Sequence, residues 1–245
     1  MTIVEICCGS VEDCIAAAHG GANRVELNSA LHMDGLTPSV ASLKLAKQYT
    51  NIPIVTMVRP RSAGFCYSHT DIETMLLDAK ILLENGADGI AFGFLHENGS
   101  IDIENTKTMI KLIKSFGEEK EAVFHRAFDC ASDPYEAIEQ CIELKIDRIL
   151  TSGLENKATE GKDLIKTLIE EYGNEIEILA GSGINETNVK EFIEYTGVKQ
   201  IHSSCKEWLI DKTTTMNNVS YAYHEKYDYE IVSEEKVKKL IDQCK

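Results

Sequence analysis

The feature that most constrains this chain is a short unit that recurs along it: a helix end, a small residue, an apolar residue, then a strand. Gly21-Ala22-Asn23-Arg24-Val25-Glu26-Leu27 follows an Ala-rich helical stretch, and Gly86-Ala87-Asp88-Gly89-Ile90-Ala91-Phe92 follows another. Lys145-Ile146-Asp147-Arg148-Ile149-Leu150 and Gly197-Val198-Lys199-Gln200-Ile201-His202 repeat the shape. Glycine accepts the left-handed backbone that closes a helix, and the apolar residue packs back on the last turn. Helices and strands alternating in this rhythm specify a parallel sheet.

Eight strand candidates follow, at residues 3–8, 24–28, 52–59, 89–93, 122–126, 148–153, 177–181 and 200–204. Eight such units in 245 residues match an α/β fold of the (β/α)8 TIM-barrel type, read as one domain over 1–245. A doubly wound open sheet would show a Gly-rich fingerprint after its first strand, but that position reads Cys8-Gly9-Ser10-Val11. Helix starts are expected at Thr37-Pro38, at the capping box Thr70-Asp71-Ile72-Glu73, at Ser132-Asp133-Pro134 and at Asn185. Residues 205–232 break the rhythm, being polar and carrying Trp208, Tyr221, Tyr223, Tyr227 and Tyr229. They read either as an irregular segment covering the barrel before a last helix near 233–243, or as a subunit contact through exposed tyrosines.

A net charge of −15 opposes nucleic-acid and anionic-membrane partners, which need a basic face. No stretch approaches the roughly 18 apolar residues of a membrane span. Met1 leads straight into Ile3-Val4-Glu5-Ile6 without a basic n-region, so no signal peptide is read and a cytoplasmic location is expected. The eight cysteines are then expected as thiols, and without paired C-x-x-C spacing they do not suggest a structural zinc site.

Side chains alternate along a strand, so parity separates the barrel interior from the helix-facing side. Val4, Ile6 and Cys8 share one face of the first strand, and Val25 and Leu27 one face of the second. With these turned to the helices, Glu5, Cys7, Glu26 and Asn28 point into the barrel or its mouth. His125 shares a face with Val123, Arg59 ends the third strand, and His202 and Ser204 share a face of the eighth. Arg126 is expected on the opposite face from His125 unless the strand turns early. Asp129, beyond the strand, is expected to tether its loop or meet Arg61. Branched aliphatics usually fill such barrels, so an ionisable layer at the C-terminal end reads as a site.

Several of these residues together resemble the CutC family, named for copper homeostasis. The resemblance rests on Glu5-Ile6-Cys7, the Gly21–Leu27 run, Gly35-Leu36-Thr37-Pro38-Ser39, and Arg59-Pro60-Arg61 with Phe65-Cys66-Tyr67-Ser68. It continues in Phe124-His125-Arg126-Ala127-Phe128-Asp129, Leu150-Thr151-Ser152-Gly153 and His202-Ser203-Ser204. It implies a TIM barrel, a cytosolic homo-oligomer (dimer or tetramer) and copper handling through cysteines ending the first two strands. Cys7 matches the first of these positions, whereas Asn28 stands at the second. Cys8 has the wrong parity, which leaves Cys66 in the following loop, or a nearby histidine, to help Cys7 hold Cu(I).

Three functions follow from these residues. One is a metal handler binding Cu(I) through Cys7 and Cys66. The second is an enzyme for a small anionic metabolite, with Arg59 and Arg61 as an anion clamp and His125 as general acid or base beside Glu5 or Glu26. Asp129, Ser152, Gly181, Gly183, His202 and Ser204 complete its binding set, since barrels often bind phosphate at the seventh and eighth strands. Glu5, Glu26 and His125 would also suit a divalent metal. The third is a regulatory or scaffold barrel whose site is vestigial.

Overall fold

The left-handed positions that the recurring unit demands are present. Gly21, Gly86 and Gly197 have φ of +93°, +95° and +72°, and Lys145 takes the equivalent place at +62°. In this computed structural model, which describes residues 2–224 and 229–245, a parallel strand follows each of them.

The strands are β1 (Ile3–Cys8), β2 (Arg24–Leu27), β3 (Ile54–Met57), β4 (Gly89–Phe92), β5 (Glu121–Phe124), β6 (Arg148–Thr151), β7 (Glu177–Ala180) and β8 (Gln200–Ser203). They close in sequence order, with β1 hydrogen-bonded to both β2 and β8. Helices α1 (Val11–Gly20), α2 (Val40–Tyr49), α3 (His69–Glu84), α4 (Ile103–Lys114), α5 (Pro134–Glu143), α6 (Lys162–Tyr172), α7 (Val189–Thr196) and α8 (Glu234–Gln243) complete the expected (β/α)8 barrel.

Alternation along the strands produces two separate cores. Val4, Ile6, Cys8, Val25, Leu27, Ile54, Ile90, Phe92 and Phe124 pack outward against the helices. Val55, Met57, Ala91 and Val123, one residue out of phase, form a second cluster inside the barrel.

Some local expectations shift by one or a few residues. Ser39, not Thr37, caps α2, because the Thr37 hydroxyl is engaged with the Arg59 backbone. Ser68 caps α3 and forms the capping box with Asp71, which places Thr70 inside the helix. Asp133 caps α5 with Pro134 in its first turn, as expected. Asn185 instead stabilises the turn before α7, its side chain accepting from Thr187 N at 2.9 Å. The strand expected over 122–126 ends at Phe124, and Arg126–Cys130 forms a 3-10 helix.

The segment after β8 is not irregular throughout. β9 (Lys206–Leu209) pairs antiparallel with β12 (Tyr229–Val232), and β10 (Thr215–Met216) pairs with β11 (Val219–Ser220). Val232 N donates to buried Asp13 of α1 at 2.7 Å, and Tyr223 stacks on His32 at 4.7 Å between ring centroids. Tyr227 lies outside the described residues. Among the described residues no helix is long and apolar enough to cross a membrane.

Candidate functional site

Adjacent strands β8, β1 and β2 project an ionisable network into the barrel. Barrel closure sets Glu5 level with Arg24 on one side and His202 on the other. Glu5 pairs with the Arg24 guanidinium and with His202 Nδ1, the latter at 2.8 Å. Arg24 also donates to Gln200 at 3.1 Å. Nearby, fully buried Arg148 donates to Glu121 at 2.6 Å and Glu177 at 2.9 Å.

Toward the C-terminal end of these strands lie Cys7, Glu26 and His202. One ligand atom from each of the three falls within 4.8 Å of the other two. The Cys7 thiol stands 4.0 Å from Glu26 Oε2. Asn28 Nδ2 donates to Glu26 Oε2 at 2.9 Å and to Cys7 Sγ at 3.6 Å. Gly181 makes room for the imidazole: a Cβ there would lie 3.1 Å from His202 Cβ and 2.8 Å from Leu150 Cδ1.

The electrostatics separate these groups. Burial pushes the Glu5 carboxyl up, but Arg24, His202 and Arg148 outweigh it and hold the group well below the usual carboxylate range. Burial raises Glu26 despite the opposing His202 and Asn28, with the Glu5 charge adding to the rise. Burial lowers His202, yet Cys7, Glu5 and Glu26 reverse this and raise it well above an ordinary histidine. Burial raises the Cys7 thiol against His202. Two neighbouring carboxyls driven in opposite directions, beside a thiol and an imidazole, form a site able to hold a cation or move a proton.

The structure corrects several sequence expectations. His202, not His125, is the partner of Glu5, because closure between β1 and β8 brings them level. His125 lies just past β5 and caps the 3-10 helix that follows; its Nδ1 accepts from Ala127 N at 3.0 Å and its ring packs with its centroid 5.0 Å from that of Phe65. Burial, with a further push from Arg59 and Arg126, lowers His125 to about 3, so it does not titrate near neutral pH. Arg59 and Arg61 do not form an open clamp. Arg59 donates to the carbonyls of Met33, Asp34, Gly35 and Ala63, and Arg61 to those of Ser62, Gly64 and Cys66 and to Asp71.

Asp129 does tether its loop, but to Arg126 rather than Arg61, at 2.7 Å. It also accepts from Thr151 Oγ1 at 2.6 Å and from Ser152 N and Oγ at 3.0 and 2.8 Å, which commits Ser152 to this tether. Gly183, at φ +76°, and Ser204 are exposed in the loops after β7 and β8, which Ser203 Oγ joins by donating to Ile184 O at 2.6 Å. Cys8 is buried on the helix side, as its parity predicts. Cys66 is exposed and lines a surface cleft of about 310 Å³ with Cys130 and His96, outside the cluster that holds Cys7. Sequence reasoning missed Arg24 and Arg148 as interior groups, although each opens its strand with inward parity.

The fold and site define a TIM-barrel protein with a thiol, a carboxylate and an imidazole gathered at the C-terminal ends of neighbouring strands. Residues 2–207 match the model of the CutC family. A family protein CutC from Treponema denticola is 45% identical over 218 residues, covering 89% of this chain and 87% of that protein. The human copper homeostasis protein cutC homolog is 39% identical over 204 residues, covering 83% and 73%. A crystal structure of the CutC protein from Streptococcus agalactiae superposes with a TM-score of 0.77 at 32% identity, covering 83% of this chain and 99% of that one. The chain belongs to the CutC family.

Proposed function

We propose that this protein serves copper homeostasis by binding a metal ion, as cargo, at Cys7, Glu26 and His202. The observation that carries the reading is the approach of their ligand atoms to within 4.8 Å of one another. The donor set suits the role: thiolate and imidazole are good Cu(I) ligands, while the carboxylate also admits a divalent ion such as Zn²⁺. Asn28 adds an amide donor where a soft ligand would be a thiolate, so Cu(I) relies on Cys7 and His202. Binding must displace protons from the thiol and the imidazole, so affinity rises with pH.

A cytosolic location fits this reading, since all eight cysteines are free thiols. Homo-oligomerisation fits the exposed apolar and aromatic side chains of Ile210, Met216 and Tyr221 beyond β8.

The test is anaerobic Cu(I) titration against a chromophoric chelator, run in parallel with Zn²⁺. Cys7→Ala is expected to remove high-affinity Cu(I) binding. A Cys7→Ala protein that competes as well as wild type sinks the proposal.

A further inference from the structure

Among the described residues three arginines, Arg24, Arg59 and Arg148, are buried, and they are not treated alike. Arg24 is paired with Glu5, and Arg148 with Glu121 and Glu177. Arg59, only 4% exposed, has no carboxylate within ion-pair distance among the described residues. Four backbone carbonyls occupy its terminal nitrogens and its Nε has no partner. A buried guanidinium without a counter-ion is costly, because carbonyl dipoles replace only part of its hydration.

Its neighbours are also unpaired. Six buried side-chain polar atoms lack a hydrogen bond among the described residues, and three of them are Arg59 Nε, His125 Nε2 and Tyr67 OH. The three are linked through one ring and one charge. The Phe65 ring packs tilted against His125 with 5.0 Å between centroids, and Arg59 Cζ lies 5.3 Å from the Phe65 centroid. The Arg59 charge acts on both His125 and Tyr67, and the guanidinium comes near enough to the Tyr67 hydroxyl to polarise it although the two do not meet in hydrogen-bond geometry. His125 Nδ1 accepts from Ala127 N, so in the neutral ring the proton sits on Nε2, which is therefore a buried, unused donor.

We propose that Arg59, His125 and Tyr67 form a binding site for the oxyanion group of a small molecule, a carboxylate or a phosphate, with Phe65 as the group that covers it. The anion supplies Arg59's missing counter-charge and accepts from Arg59 Nε–H, His125 Nε2–H and the Tyr67 hydroxyl. Phe65 belongs to the loop after β3, next to Ala63 at φ +71° and to Gly64, and swings aside to admit the ligand. A fourth unpaired atom, Asn28 Oδ1, is an acceptor suited to a hydroxyl on the same ligand. Gly35 connects it to the site: a Cβ there would lie 2.5 Å from Asn28 Oδ1, and its carbonyl accepts from Arg59 at 3.1 Å. The site does not depend on metal at Cys7.

The test uses the full chain in a phosphate-free and carboxylate-free buffer. Thermal unfolding is followed with added inorganic phosphate or malonate, against sodium chloride at equal ionic strength, while the ¹⁵N shift of His125 Nε2 is read by NMR. One of the two anions is expected to raise the Tm above the chloride control and move the His125 signal, and the better one identifies the oxyanion. Arg59→Lys and His125→Asn should each weaken binding by roughly tenfold, since each removes a charge-assisted bond. Phe65→Ala, which keeps every polar group, should tighten it by a similar factor by removing the closed state. The proposal is overturned if neither anion exceeds chloride in both wild type and Phe65→Ala. It is equally overturned if binding persists unchanged in Arg59→Lys and His125→Asn, which would put the anion elsewhere.

Discussion

His125 makes this protein sensitive to mild acid in a way that one substitution removes. The ring is 2% exposed and neutral, with its pKa lowered from an ordinary 6.5 to about 3 by burial, reinforced by Arg59 and Arg126. Above pH 6.5 neither the folded nor the unfolded state binds this proton, and His125 contributes no pH dependence. Between 6.5 and about 3 the unfolded chain binds it and the folded one does not, so stability falls as pH falls. At pH 5.0 the loss is about 2 kcal/mol, from 1.5 pH units at ~1.4 kcal/mol each. That corresponds to a Tm drop of roughly 4–8 °C for a chain of this length. The value depends only on the folded pKa lying well below 5. The assay is urea denaturation at pH 7.5 and 5.0, in wild type and in His125→Asn, whose side-chain oxygen can still accept from Ala127 N. Asn costs packing against Phe65 at both pH values, so the quantity read is the difference between the two pH-induced losses. His202, shifted the opposite way, contributes stability at low pH that fades as pH rises, and it cancels in that difference. Equal losses in the two proteins, within about 0.5 kcal/mol, would refute the assignment of His125 as a buried neutral ring.

Two further outcomes test the network on β8, β1 and β2. Glu5→Gln leaves the buried Arg24 guanidinium without its carboxylate and should destabilise by about 3–5 kcal/mol in urea denaturation; a midpoint shift no larger than that of Glu235→Gln, an exposed helix pair, would contradict this. Asn28→Cys adds a thiol next to Cys7 Sγ, which Asn28 Nδ2 now approaches to 3.6 Å, and should tighten anaerobic Cu(I) binding by at least about tenfold; an unchanged affinity would mean that Cys7 is not the anchoring ligand.

Most of the barrel was legible because its signals are local. Helix closure at Gly21, Gly86 and Gly197 and alternation along β1 and β2 each depend on a few consecutive residues, and parity alone turned Glu5, Cys7, Glu26 and Asn28 inward. The partners of those residues were not local. Glu5 meets His202 only because β1 and β8 close the barrel across 197 residues of chain, and no spacing in the sequence encodes that register. Arg59 reads as the end of the third strand and Arg61 as its companion in an anion clamp, yet β3 stops at Met57, the terminal nitrogens of Arg59 are taken by carbonyls of the loops after β2 and β3, and Arg61 is taken by carbonyls of its own loop and by Asp71. The displaced caps have the same origin. Thr37 has the right chemistry to cap α2, but tertiary contact with the Arg59 backbone claims its hydroxyl, and Ser39 takes the role.

Asn28 gives the two unassigned halves of the mouth a common point. Its position, where the family resemblance leads one to look for a second cysteine, is filled by a group that donates to Cys7 and Glu26 through Nδ2 and keeps Oδ1 free. An amide donor stabilises negative charge on the thiol and carboxylate, which favours cation capture, but it cannot itself become a soft ligand. Its free oxygen lies against Gly35, whose carbonyl holds the uncompensated Arg59. An acidic, thiol-bearing half and a cationic, donor-rich half thus share one side chain. A cation at the first and an oxyanion at the second would lower the electrostatic cost of each other, so their binding should be mutually favourable, and by linkage the coupling must be equal in both directions. Metal handling and small-anion binding are in that case two properties of one mouth, and Asn28 is the residue through which either is felt by the other.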